Sequence, residues 1–90
     1  MKKKAPPKDL LDNAKVALKN AYCPYSKFAV SACIRTDNNT LFTGCNVENA
    51  SYSLCCCAEA NAIGNMVQAG HRKIKQILIN GSHRQALHAY

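Results

Sequence analysis

Apolar positions set the first boundaries along the chain. After the Pro6-Pro7 breaker, Leu10, Ala14, Ala17, Leu18 and Ala21 recur at spacings of three and four, which predicts an amphipathic helix over residues 9–21. Asp9 and Asp12 lie near its start, where carboxylates suit the positive end of a helix. Pro24 ends it by pushing Cys23 toward extended geometry. The pattern then changes: Phe28 to Thr36 carries β-branched and small apolar residues, Asp37-Asn38-Asn39 is turn chemistry, and Leu41 to Val47 resumes the extended run. An antiparallel hairpin is expected there, followed by a polar loop over residues 48–54.

A second helical period runs from Cys56 to Ala69 through Ala60, Ile63, Met66 and Val67, with Gly70 as the expected C-terminal cap. No face of this helix is fully polar, so cover on nearly every side is expected. Its interior Gly64 costs about 1 kcal/mol relative to alanine, which close packing against another backbone would offset. Ile74 to Ile79 reads as a buried strand closed by Asn80-Gly81, and residues 82–90 as one short helix. Strand, helix, strand in succession favours a right-handed crossover within one sheet. The class is therefore α/β, a layered α/β/α domain in the order helix, β-hairpin, helix, strand and short tail. Ninety residues build a single core, here a basic flexible arm over 1–8 and one domain over 9–90.

Charge changes this picture little. Of the 12 Lys and Arg residues behind the net charge of +7, Lys2, Lys3, Lys4 and Lys8 belong to the arm. Lys15, Lys19, Lys27, Arg35, Lys73 and Lys75 are interspersed rather than gathered on one stripe, which argues against nucleic acid as the partner. A basic arm gripping a polyanion would show itself by a steep loss of affinity with salt. No apolar run of about 18 residues offers a membrane span. Ala5-Pro-Pro-Lys-Asp9 stands where a secretion signal needs its apolar segment, so a cytoplasmic location is expected. Among the 6 cysteines, Cys55, Cys56 and Cys57 are consecutive and cannot all find disulfide partners of acceptable geometry. Metal or thiolate chemistry is the better reading of them.

Cys57-Ala58-Glu59 begins the second helix. Unpaired amides at a helix start favour a thiolate, a natural zinc ligand, and Glu59 in the same first turn could move the protons of a metal-bound water without ligating the metal. The plainer reading is a small buried thiol beside an ordinary first-turn carboxylate. Gly44-Cys45-Asn46-Val47-Glu48-Asn49-Ala50-Ser51-Tyr52 followed by Cys57-Ala58-Glu59, with Pro24-Tyr25-Ser26-Lys27-Phe28 upstream, resembles the cytidine deaminase family in residues and in spacing. The resemblance covers about residues 10–79. It implies a cytidine deaminase-like fold and hydrolytic deamination of cytidine or deoxycytidine, in which a zinc-activated water attacks C4 of the base and a glutamate shuttles protons. It makes Cys57 a zinc ligand, Glu59 the acid/base, Phe28 a wall for the base, Asn46 and Glu48 the pair on the ribose hydroxyls, and Ala58 a source of backbone groups. An amide and a carboxylate suit a diol; the alternative is that Asn46 and Glu48 merely close a strand and its loop.

The family's pattern continues with Pro-Cys-x-x-Cys, which supplies two more thiolates to a three-ligand zinc site. Here no cysteine follows Cys57. Gly81-Ser82-His83-Arg84-Gln85 is similar to the family's Gly-x-Cys-Arg-Gln run and sets His83 at the second cysteine and Asn80 at the first. His83 can ligate zinc through an imidazole nitrogen, whereas Asn80 is a poor ligand. Cys55 or Cys56 would be a donor outside the family positions, and His71 and His88 are weaker choices still. Ala60 stands where the family usually carries an arginine. The chain is expected to be C-terminally shortened, with an open sheet edge that invites pairing, and the resemblance implies a homotetramer whose sites borrow residues across interfaces. Two readings follow. One is a zinc-dependent deaminase of pyrimidine salvage with one zinc per chain; the other is a catalytically impaired homologue that at most binds nucleosides or self-associates.

Overall fold

The computed structural model describes residues 7–48, 57–81 and 85–89. Pro7, which has no amide hydrogen to leave unpaired, precedes helix α1 (Lys8–Leu18), and its carbonyl accepts the Leu11 N–H at 3.0 Å. The helix stops short of the predicted Ala21 because Lys19, Asn20 and Ala21 each donate to the carbonyl three residues back, a tightened last turn. Strands β1 (Val30–Thr36) and β2 (Leu41–Cys45) form the expected hairpin, from Ser31 opposite Cys45 to Arg35 opposite Leu41. Asn39 turns the corner at φ 66°, a left-handed conformation that asparagine tolerates.

Helix α2 (Ala58–Gln68) begins later than the predicted Cys56, because Cys57 is extended at φ −81° and ψ 160° and serves as its N-cap. Gly70, at φ 95°, is the expected C-terminal cap. Its N–H reaches the Val67 carbonyl at 3.0 Å while the His71 N–H reaches Met66 at 3.1 Å, the paired bonds of a Schellman motif. Strand β3 (Ile74–Gly81) runs on through Asn80-Gly81, and strand β4 (Gln85–Ala89) folds back along it, from Asn80 opposite Gln85 to Gln76 opposite Ala89. The short helix expected over residues 82–90 is thereby corrected. So short a helix would leave most of its amides and carbonyls unpaired, whereas β3 offers a ladder.

The sheet order is β2-β1-β3-β4 with every neighbouring pair antiparallel. Strands β2 and β3 thus point the same way on either side of β1, and α2 is the crossover between them. One helix covers each face. Leu10 and Ala14 of α1 pack on Cys33 and Leu78, while Ala58, Ala62 and Met66 of α2 pack on Ala32, Ile34 and Ile77. This is the period of two in β1 made visible: odd positions meet α1 and even positions meet α2. Polar bonds fix α1 in place. The Ser31 hydroxyl donates to the Ala14 carbonyl at 2.5 Å, and Arg35 meets both Asp9 oxygens at 2.6 and 2.7 Å while its Nε donates to Gln76 at 2.8 Å. The Arg35 guanidinium holds the Asp9 carboxyl below its ordinary value.

Two expectations about α2 are overturned. Only the stripe of Ala58, Ala62 and Met66 is covered, and Ile63 and Val67 remain 38% and 41% exposed. The close approach is not at Gly64, which has nothing within 4 Å of an added Cβ, but at Gly44 of β2. There a Cβ would lie 2.3 Å from the Ala62 nitrogen and 2.6 Å from the Ala58 oxygen. Alanines one turn apart make a flat helix surface, so the strand comes in close and the glycine is required on the strand. Among the described residues no helix is long and apolar enough to cross a membrane.

Candidate active site

Strand β2 ends beside the segment that joins α1 to β1. Tyr22 and Val47 form an isolated parallel bridge, with the Tyr22 N–H on the Asn46 carbonyl at 3.0 Å and the Glu48 N–H on the Tyr22 carbonyl at 2.7 Å. This register brings Asn46 and Glu48 against the loop that carries Phe28. Asn46 accepts the Val30 N–H at its Oδ1 (3.0 Å) and donates from Nδ2 to the Phe28 carbonyl (2.8 Å). Glu48 accepts the N–H groups of Tyr25 and Ser26 at Oε1, each at 3.0 Å, and the Ser26 hydroxyl at Oε2. The Ser26 hydroxyl, followed by the backbone N–H of the same residue, holds the Glu48 carboxyl below its ordinary value.

Asn46 and Glu48 therefore do close a strand and its loop, yet that task does not exhaust them. A primary amide has two N–H donors and two acceptor lone pairs, so among the described residues one of each on Asn46 has no partner. A carboxylate offers about four acceptor positions, of which the described residues engage three on Glu48. Phe28, 49% exposed, presents its ring on the same loop. The three residues singled out for base and ribose are thus brought together, with polar capacity to spare.

At the start of α2, Cys57 is a free, exposed thiol, Ala58 is fully buried beneath Gly44, and Glu59 is half-buried on the first turn. The helix is tied to β2 by a pair absent from the sequence reading. Asn61 Nδ2 donates to the Cys45 carbonyl and Asn65 Nδ2 to the Thr43 carbonyl, both at 2.7 Å. Even-numbered residues of this hairpin strand face β1, so those two carbonyls point off the edge of the sheet, where the asparagines cap them. Asparagines at i and i+4 were visible in the sequence, but their purpose appears only once β2 is known to be an edge. A groove of about 430 Å³ follows this edge between α1, β2 and α2, and none of the expected site residues lines it.

Cys57 fits the part of one zinc ligand, as an exposed thiol ahead of a helix. A catalytic zinc takes three protein ligands, and among the described residues no group of three or more His, Cys, Asp or Glu side chains converges. Asn80 is buried in β3 between Ser31 and Gln85. His71 packs its ring 5.2 Å from that of Phe42, and His88 is exposed on β4. His83, Cys55 and Cys56 lie outside the described residues. The described donors do not by themselves hold a zinc ion.

The fold agrees with what the chain is similar to. The family model for the cytidine and deoxycytidylate deaminase zinc-binding region matches residues 5–83. The chain belongs to this deaminase family. It is 41% identical over 70 residues to a cytidine deaminase of Mycoplasma genitalium, covering 78% of this chain and 53% of that relative. A cytidine deaminase of Sporosarcina psychrophila is 40% identical over 70 residues, with 78% and 52% covered. Among solved structures, the cytidine deaminase from Burkholderia pseudomallei superposes with a TM-score of 0.80 at 43% identity over 88% of this chain and 65% of its own. That from Mycobacterium tuberculosis gives 0.78 at 39% identity, over 83% and 61%. The layered α/β fold is the deaminase fold, and the chain spans about half the length of the curated relatives it matches.

Proposed function

We propose that the chain is a pyrimidine nucleoside deaminase that converts cytidine or deoxycytidine to the uracil nucleoside with release of ammonia, a step of pyrimidine salvage. The observation that carries this reading is the knitting of Phe28, Asn46 and Glu48 into one loop cluster whose polar groups the described residues do not use up. The Phe28 ring would lie against the base, the remaining groups of Asn46 and Glu48 would meet the two ribose hydroxyls, and Ala58 would contribute backbone groups. Glu59 would take a proton from the attacking water and pass it to ring N3 as the C4–O bond forms, then pass the remaining hydroxyl proton to the exocyclic nitrogen as the C4–N bond breaks and ammonia leaves. Cys57 with His83 would hold the zinc of this reading, one ion per chain, whose chemistry would be to activate the water.

Free thiols at Cys23, Cys33, Cys45 and Cys57 support a cytoplasmic setting. Exposed Val16, Ile63 and Val67 on the helices support a homo-oligomer, with the nucleoside as the small-molecule partner rather than nucleic acid. A second reading, a homologue that binds nucleosides without turnover, is favoured by the lack, among the described residues, of three His, Cys, Asp or Glu side chains that converge. Zinc per chain and ammonia release from cytidine, measured on the parent chain and on Glu59→Gln, decide between them. The deaminase reading expects near-stoichiometric zinc and, in E59Q, retained nucleoside binding with turnover reduced by about 10²-fold or more. Unchanged turnover in E59Q removes Glu59 from the mechanism, and binding without turnover in the parent chain establishes the second reading.

A further inference from the structure

On the deaminase reading of the site, we propose that Ser26 is the positioning residue that holds the base wall and the ribose clamp as one unit. A serine hydroxyl has one proton to give, and here it goes to Glu48 Oε2, while the oxygen accepts the Phe28 N–H at 3.1 Å. The two bonds leave Ser26 in opposite senses, one toward the residue assigned to ribose and one toward the residue assigned to the base. Phe28 is gripped at both ends of its backbone, its N–H by Ser26 and its carbonyl by Asn46 Nδ2 at 2.8 Å. Its ring is half exposed, and the grip on both ends of its backbone sets where it stands. Between the two, Lys27 adopts φ 59°, and its N–H is held by the Cys23 carbonyl at 3.0 Å. A left-handed lysine persists only where its surroundings over-determine it, and the three bonds onto Glu48 are those surroundings. The distance between base wall and ribose carboxylate is therefore set before any nucleoside arrives, and a nucleoside is recognised as a joined base and sugar.

The test uses the full chain with Ser26→Ala, Ser26→Thr and Ser26→Cys, each followed by cytidine titration, steady-state kinetics and amide hydrogen exchange without ligand. S26A is expected to weaken cytidine binding and raise KM by about tenfold, the size of one lost charge-assisted hydrogen bond, with kcat within about twofold. Exchange at the Phe28 amide quickens in S26A, and S26T, which keeps the hydroxyl, restores binding and protection. S26C, close in shape but a weak donor, reproduces the loss should S26A fold poorly. Cytidine binding in S26A equal to that of the parent chain overturns the proposal while leaving the deaminase reading intact. So does unchanged Phe28 exchange. A parent chain that binds no cytidine overturns the deaminase reading itself, and the proposal falls with it.

Discussion

Phe28, Asn46 and Glu48 are tied to one another by side-chain bonds onto a single loop, whereas Cys57 and Glu59 owe their place to the packing of a whole helix on β2. The nucleoside side is local and polar. The helix side is set by a backbone contact at Gly44 and by two capped carbonyls. The two halves meet within three consecutive residues of one chain segment, since Gly44 underlies α2, the Cys45 carbonyl receives Asn61, and Asn46 reaches the Phe28 loop. Damage to one half should therefore be separable from damage to the other, and that expectation can be broken.

Gly44→Ala carries the largest effect. The new Cβ meets backbone atoms of α2, which no side-chain rotation relieves, so a loss of about 3 kcal/mol in denaturant unfolding is expected. A G44A chain as stable as the parent would refute the close approach. Next comes the contrast between thiols. Burial pushes the Cys33 thiol from 9.0 up to about 11, which lowers its thiolate fraction at neutral pH about a hundredfold. Iodoacetamide should label exposed Cys57 in the native chain and Cys33 only after unfolding, as read by peptide mass mapping. Slower labelling of Cys57 with added zinc, reversed by a chelator, would sharpen the assignment of that residue as a ligand.

Asn61→Ala uncovers the Cys45 carbonyl and should cost about 1 kcal/mol while leaving the Phe28 amide protected against exchange. Loss of that protection would show that the halves are coupled after all. The smallest effect is one of pH. Folding holds the carboxyls of Asp9 and Glu48 below their ordinary values of 3.8 and 4.5. Their contributions are fully present above those ordinary values and disappear as pH falls through the lower folded ones. Acid should thus loosen the Phe28 loop, detectable as faster exchange of the Tyr25 and Ser26 amides, before α2 unfolds. Simultaneous loss of loop and helix would contradict the separation.

Periodicity was enough to find α1, the hairpin and α2, because each buries one stripe or alternates over several residues. It failed for β4, since Gln85 to Ala89 is too short and too mixed for either period to stand out, and only the free edge of β3 decides its shape. Gly64 attracted attention because it breaks a helical rule, but a glycine is demanded by whatever approaches it, and the approach is at Gly44. Among the candidate site residues, Phe28, Asn46, Glu48, Cys57 and Glu59 were singled out by the resemblance to the deaminase family. Ser26 stood in the same motif without a role, because a hydroxyl's partners are set by three-dimensional neighbours. The pair Asn61 and Asn65 was hidden for the same reason.

The two borders of the sheet differ in what they permit. On β2 the outward carbonyls of Thr43 and Cys45 are occupied by Asn65 and Asn61, whereas β4 is exposed at all five positions, contains neither charged residue nor proline, and among the described residues receives no side-chain hydrogen bond. Among the described residues, β4 is then the edge more open to strand pairing between copies. Two copies joined β4 to β4 about a two-fold axis would use up that edge in both, so growth through β4 ends at a closed pair instead of running on into a filament.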